Sequence, residues 1–333
     1  MVILSLTVVA LIIGQKLIIP FIFALLIWIL IRAIRSKFNE IPFVRKRFPG
    51  WLTNVLMSAF FIGFFILIGR MVTANVEILA ESYRTYESNI AKVSKQIDEL
   101  FNINSLQLLE DYAGNFNFGK ILSSLFNSLR GILENTMIIL LYTAFIFLEE
   151  SSLPQKLKGV FPRKQQHNRV VVVIQKIERS VANYIGLKTF VNLISAVVSY
   201  VVLLIIGIDT PLFWTVLVFL LNFIPVIGLF ISVLFPAIFA LIQFGSFTPC
   251  LAVLGGLGTV QFLVGNILEP RIMGNSLNIS PLVAILALAL WGAIWGITGM
   301  FLSVPITVIM IIVFSQFPKT RPIAIMLSEK GKI

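Results

Sequence analysis

Between two long apolar stretches, residues 266–274 read Asn-Ile-Leu-Glu-Pro-Arg-Ile-Met-Gly, placing one acid and one base two positions apart. From Pro211 to Pro318 the only other ionisable side chain is the thiol of Cys250. A charge at or near a bilayer core costs roughly 2.5–3.5 kcal/mol on insertion scales, so a partner, water or function keeps it there. Two kinds of chemistry fit Glu269 and Arg271: an ion pair capping helices at the membrane rim, or a gate for a polar solute or cation. Consecutive helical residues point about 100° apart, so the two heads diverge on an unbroken helix. Pro270 disfavours helical geometry at Glu269, and a bend there would let them converge. Gln261 and Asn266, about a turn apart on the preceding apolar stretch, either bond to neighbouring helices or line the same cavity.

A second polar interruption, Asn222-Phe-Ile-Pro225-Val-Ile-Gly228, breaks the apolar run from Pro211 to Phe244, which is too long for one straight helix. Proline removes a helix hydrogen bond, and irregular backbone at membrane depth survives only inside protein or beside a water-filled cavity. Asn222, Pro225 and Gly228 therefore mark either a helix-hairpin turn with a satisfied amide or the wall of a pathway, where unwound carbonyls bind an ion or polar solute. Pro270, Gly274, Gly296, Gly299 and Pro305 are the expected structural hinges.

The elements that position these residues are dictated by composition. Of 333 residues, 58% are hydrophobic and 29 are Phe, and the mean hydropathy is +0.97, beyond what a soluble fold can bury. The chain reads as an all-α polytopic helical membrane protein of about eight spans plus a re-entrant helix pair, in the cell membrane and in contact with lipid. The net charge of +11 reports topology before any polyanion partner. No aromatic-interleaved basic patch appears, and nucleic-acid binding is not expected. A single cysteine excludes an internal disulfide framework and a thiolate metal cluster. His167, the one histidine, sits in a polar run and reads as a solvated loop residue rather than a ligand. Phosphate-loop, zinc-protease and nucleophile-elbow motifs are missing, which argues against an enzyme or an ATP-driven pump. The sequence calls for no cofactor or metal, and transport would run on gradients.

A span needs about twenty apolar residues. Residues 1–74 hold a short first helix, Met1–Gly14, then a span at Leu17–Ile34 and a third at about Trp51–Val72. Six bases between Arg32 and Arg47, against Glu40, mark that loop as cytoplasmic. The acid-rich segment 75–128 then lies outside the cell. Within it Leu79, Tyr83, Tyr86, Ile90, Val93, Ile97 and Leu100 form a seam at steps of four and three, fit for self-packing or an intersubunit coiled coil. A fourth span lies within 129–150, and 151–188 is a basic cytoplasmic segment with an interfacial helix at Val170–Tyr184. The core, 189–318, carries a fifth span to Ile206, the broken pair 211–244, a glycine-rich span at Leu251–Leu268 and a final pair split at Trp295–Gly299. Residues 319–333 form a cytoplasmic tail, so parity places both termini inside.

Several of these patterns occur together and in order: Asn222-Phe-Ile-Pro225-Val-Ile-Gly228, Asn266-Ile-Leu-Glu269-Pro270-Arg271-Ile-Met-Gly274, Ser280-Pro281, Trp291-Gly292-Ala-Ile-Trp295-Gly296-Ile-Thr-Gly299-Met300 and Val304-Pro305. In them the C-terminal half resembles the autoinducer-2 exporter-like, or PerM-like, membrane family. The resemblance implies a multi-pass bacterial-type protein that forms homo-oligomers. It implies export of a small polar signal or metabolite, or alternatively exchange of sodium or lithium for protons. A non-transporting scaffold is the third reading, and it would need none of these polar positions.

Overall fold

The computed structural model describes residues 2–39, isolated helical positions between 59 and 98, and residues 136–331 except 275–277. Every regular element among the described residues is helical: α1 Val2–Ile13, α2 Gln15–Asn39, α3 Thr136–Glu150, α4 Leu153–Val160, α5 Lys164–Ile206, α6 Pro211–Leu221, α7 Ile227–Phe244, α8 Phe247–Leu263, a π-helical turn Val264–Leu268, α9 Glu269–Met273, α10 Pro281–Phe314 and α11 Arg321–Leu327. The expected third span and the heptad-patterned segment 75–128 lie outside the described residues, apart from those isolated positions.

Among the described residues, five helical stretches are long and apolar enough to cross a bilayer, and α3 with α4, bent by 67°, makes a sixth if counted as one broken span. Of the eight expected spans, the one at about Trp51–Val72 lies outside the described residues, and the final pair is counted here as the single stretch Pro281–Phe314. At 1.5 Å per residue the 12 residues of α1 reach only about 18 Å, short of a hydrocarbon layer of about 30 Å. The 11 residues of α6 reach about 16 Å. The interfacial helix expected at Val170–Tyr184 and the fifth span are one uninterrupted helix of 43 residues, because 164–206 contains no proline and only one glycine, Gly186. Large apolar residues stand exposed along these helices, among them Ile205, Phe230 and Leu251. That is the surface expected of helices solvated by lipid.

Contacts divide the chain into two compact units. Unit 1 comprises Met1–Ile66, Gly131–Lys188 and Met273–Ile333. Its core joins Ala24, Trp28 and Ile31 of α2, Ile139 of α3, Val181 of α5, and Trp291, Trp295 and Leu302 of α10. Here α10 is broken as expected: Trp295 (φ −128°) and Gly296 (φ 60°, ψ −143°) leave helical geometry. The two arms approach so closely that a Cβ on Gly299 would lie 1.9 Å from the Trp291 carbonyl oxygen. The Trp295 indole N–H donates to the Leu11 carbonyl at 3.0 Å, satisfying an acceptor at the end of α1. Pro305 is buried within the second arm.

Unit 2 comprises Leu67–Arg130 and Thr189–Ile272. The Trp214 ring of α6 meets its neighbour Phe213 edge-on and Phe239 of α7 at a tilt of 37°, with ring centroids 5.0 Å away in each case. Val191 of α5 packs on Val260 and Val264. Ser246 caps α8 by accepting from the Thr248 amide at 3.4 Å. Of the glycines in α8, Gly256 packs tightly, its Cβ position lying 2.7 Å from Val202 Cγ1, whereas Gly255 and Gly258 face open space.

Candidate functional site

From Phe190 to Ile206, α5 is apolar but for Tyr200 and one line, Asn192, Ser195 and Ser199, at spacings of three and four. That spacing puts all three on one helix face. Their relative exposures are 1%, 0% and 0%, so the line points into protein rather than lipid. Opposite it, α6 starts at Pro211, whose missing N–H is harmless at the first helical position, and ends at Asn222. The last turn tightens: the Phe223 and Ile224 amides donate to Leu220 and Leu221 carbonyls three residues back, at 3.2 and 2.8 Å. Pro225 cannot continue the ladder. The Ile227 amide instead donates to the Pro225 carbonyl at 2.6 Å, closing a three-residue turn around Val226 at φ 59°, ψ −63°. A β-branched residue there is strained by about 1–3 kcal/mol, of the kind found at functional sites. The chain returns at Gly228, where a Cβ would sit 1.9 Å from the Leu221 carbonyl oxygen. Only glycine lets α7 start that close to the end of α6.

This turn delivers Asn222 into a buried polar cluster built from four elements of unit 2. Asn222 Nδ2 donates to Ser195 Oγ at 3.1 Å and to Gln261 Oε1 at 3.2 Å. Ser195 Oγ donates to the same Gln261 oxygen at 3.3 Å. The Ser232 hydroxyl of α7 lies 2.9 Å from the Leu229 carbonyl and 3.4 Å from Asn222 Oδ1, with one proton to give to either. Asn192 Nδ2 donates to the Phe219 carbonyl at 3.2 Å. Ser232 is fully buried, Asn222 is 2% exposed and Gln261 4%. None of these side chains carries a charge at any ordinary pH. Among the described residues, Gln261 Nε2, Ser199 Oγ and the Trp214 indole nitrogen are buried with no hydrogen-bond partner. Inside lipid-solvated protein such groups cost about 1–3 kcal/mol each unless water or a solute meets them. No grouping of three or more metal-ligand side chains occurs among the described residues.

The other expected site residues fall elsewhere. Gln261 and Asn266, read as bonding to neighbouring helices or lining one cavity, part company: Gln261 is in the cluster, while Asn266 is exposed and its Nδ2 donates to the Phe262 carbonyl of its own helix at 3.0 Å. Five helical positions are about 140° of rotation, which turns the two amides to different sides. The bend expected at Glu269 also lies one turn earlier. Glu269 is helical at φ −60°, ψ −50°, and the distortion is the π-turn Val264–Leu268, in which the Glu269 amide reaches the Val264 carbonyl five residues back. Pro270 has no N–H to bond the carbonyl four residues before it, and a π-turn is one way to absorb that defect. Glu269 is half-buried and Arg271 exposed, two positions apart on α9, which places their side chains on roughly opposite sides. Gly274 ends α9 at φ 48°. Pro225 and Gly228 shape the turn and present no side-chain polar group to the cluster.

Unit 1 holds a second polar feature, built from charged side chains of three helices. Arg32 Nη1 of α2 lies 2.6 Å from Glu178 Oε1 of α5, and its Nε lies 3.5 Å from Glu150 Oε1 at the end of α3. The Trp28 indole donates to Glu150 Oε2 at 3.1 Å, and the Arg32 guanidinium stands 5.2 Å from the Trp28 ring centroid. Three helices are tied at one point by two carboxylates sharing one guanidinium. The neighbouring Glu149 pairs with Lys156. An apolar cavity of about 350 Å³ adjoins, lined by Ile22, Trp28, Ile177, Glu178, Ile306 and Met310 among others.

A family profile described as AI-2E family transporter matches residues 1–319. The chain is 30% identical to the AI-2 transport protein TqsA of Escherichia coli over 96% of this chain and 91% of that protein. It is 29% identical to a putative transport protein of Borreliella burgdorferi over 76% of this chain and 70% of that one, and 30% identical to the putative transport protein YhhT of Escherichia coli over 71% and 70%.

Proposed function

The chain belongs to the AI-2E transporter family, a family of multi-pass membrane transporters, and from that premise we propose that it exports a small uncharged polar solute of the autoinducer-2 kind through the polar cluster of unit 2. The observation that carries the reading is the cluster's make-up. Amides and hydroxyls from α5, α6, α7 and α8 meet beside a broken helix, are almost completely buried, and leave donor capacity unspent. Such a site exchanges hydrogen bonds with a neutral solute at little desolvation cost, whereas a permeant ion would enter it without a counter-charge. A cation/proton antiporter needs a titratable group at the binding site, and the cluster has none. The net flux then follows the solute gradient.

Glu269 and Arg271 fit the rim of this pathway rather than its centre, with the π-turn as the adjustable joint between them and Gln261. The loop charges support 151–188 and 319–333 as cytoplasmic, 75–128 as extracytoplasmic and both termini as inside. The seam from Leu79 to Leu100 supports a homo-oligomer. The test is release of autoinducer-2 from proteoliposomes carrying the purified protein. Release above that of empty vesicles, abolished by Asn222→Ala and kept by Glu269→Gln, is the expected result. Release of sodium or lithium coupled to protons and lost in Glu269→Gln, with no autoinducer-2 release, would overturn the proposal.

A further inference from the structure

The direction of hydrogen bonding in the unit 2 cluster carries more than its neutrality. The Asn222 amide and the Ser195 hydroxyl both point protons toward Gln261, whose Oε1 receives Asn222 Nδ2 at 3.2 Å and Ser195 Oγ at 3.3 Å. The Gln261 oxygen is thereby spent, and its Nε2, with two protons, is left over in a residue only 4% exposed. Ser199, one turn beyond Ser195 on the same face of α5 and fully buried, leaves its hydroxyl unspent as well. At Gln261 the cluster thus ends in an amide donor, and Ser199 adds a hydroxyl with a proton to give. A sodium or lithium ion facing an amide N–H is repelled, while an oxygen lone pair is attracted.

We propose that Gln261 Nε2 and Ser199 Oγ are the specificity-determining donors of this site, and that they select an uncharged solute presenting a carbonyl, ether or hydroxyl oxygen as acceptor. This rests on the exporter reading of the same cluster and adds the polarity of recognition to it. A site built to donate discriminates strongly, because a solute lacking the acceptor leaves buried protons unpaired.

Gln261→Glu tests the polarity at nearly constant shape. An ionised carboxylate repels the acceptor oxygen, and a protonated carboxyl restores one donor. Full-length protein in liposomes preloaded with autoinducer-2, at equal pH on both faces, gives release rates at pH 5 and pH 8. The Gln261→Glu rate relative to wild type should fall at least tenfold at pH 8 and recover severalfold at pH 5. Gln261→Met, matched in size without polar atoms, should be slow at both. Ser199→Ala, which does not require a buried acid to be tolerated, should raise the half-saturating concentration at least threefold. A Gln261→Glu to wild-type ratio that does not change with pH, an unchanged half-saturating concentration in Ser199→Ala, or competition by sodium or lithium for the site overturns the inference alone. Wild-type vesicles that release nothing overturn the exporter reading and this inference with it.

Discussion

Replacing Gly228 by alanine is the most direct probe of the turn that places Asn222. The added Cβ would lie 1.9 Å from the Leu221 carbonyl oxygen and 2.7 Å from its carbon. Reaching even 3.0 Å, below which real Cβ contacts are essentially never found, needs a shift of about 1.1 Å. The obstacle is backbone, so no side-chain rotation relieves it. Overpacking against side chains costs about 1–3 kcal/mol, and a rigid carbonyl puts this case at the upper end, about 3 kcal/mol. Gly299 has the same geometry against the Trp291 carbonyl and should respond alike. Gly255 is the internal control: it is helical, with nothing within 4 Å of its Cβ position, so alanine there should be neutral or stabilise by up to about 1 kcal/mol. At about 2 °C per kcal/mol for a chain of this size, Gly228→Ala and Gly299→Ala should each lower Tm by about 6 °C. Melting of detergent-purified protein, followed by its monodisperse elution peak after heating, measures this. Should Gly228→Ala melt within a degree of Gly255→Ala, the close crossing of α6 and α7 and the argument built on it are refuted.

The remaining predictions concern polar contacts. Asn222→Ala removes donors to Ser195 and Gln261 and should cost about 2–3 kcal/mol in addition to abolishing release; equal stability with wild type would mean the amide is not committed to the cluster. Arg32→Gln leaves Glu150 and Glu178 without their shared guanidinium. Because all three are partly exposed, the expected loss is about 1–2 kcal/mol, with partial recovery in Arg32→Gln/Glu178→Gln, read by melting. A double variant no more stable than the single one would show that the carboxylates do not repel. Trp295→Phe leaves the Leu11 carbonyl without its donor at 3.0 Å and should cost about 1–2 kcal/mol, an effect that vanishes if α1 is deleted from both proteins.

Much of the architecture was legible because lipid imposes a simple requirement: long apolar runs must be helices, and every interruption must be accounted for. The broken pair at Asn222–Gly228 and the second break at Trp295–Gly296 were visible as proline and glycine within apolar sequence, and both appear in the structure. Asn222 and Gln261 stood out as amides in such runs. Ser195, Ser199 and Ser232 did not, since single serines are common in membrane helices, although the spacing of Asn192, Ser195 and Ser199 on one face of α5 was a usable signal. The strained valine turn was also hidden. A positive φ is expected of glycine, and here it falls on Val226 because Pro225 and the tight approach of Gly228 leave no other path.

The two anomalous charges at 269 and 271 show where sequence reasoning stops. Composition alone determined that this is a helical membrane protein and that a paired acid and base in such surroundings need an explanation. It could not determine that the polar groups converge instead at Asn222 and Gln261, 39 positions apart. Helix rotation, the π-turn before Glu269 and the return of α7 against α6 decide which amides meet. These are set by long-range backbone packing, to which no local pattern of residue types is sensitive. The same holds for Arg32, Glu150 and Glu178, which are remote in sequence and joined only by the packing of three helices.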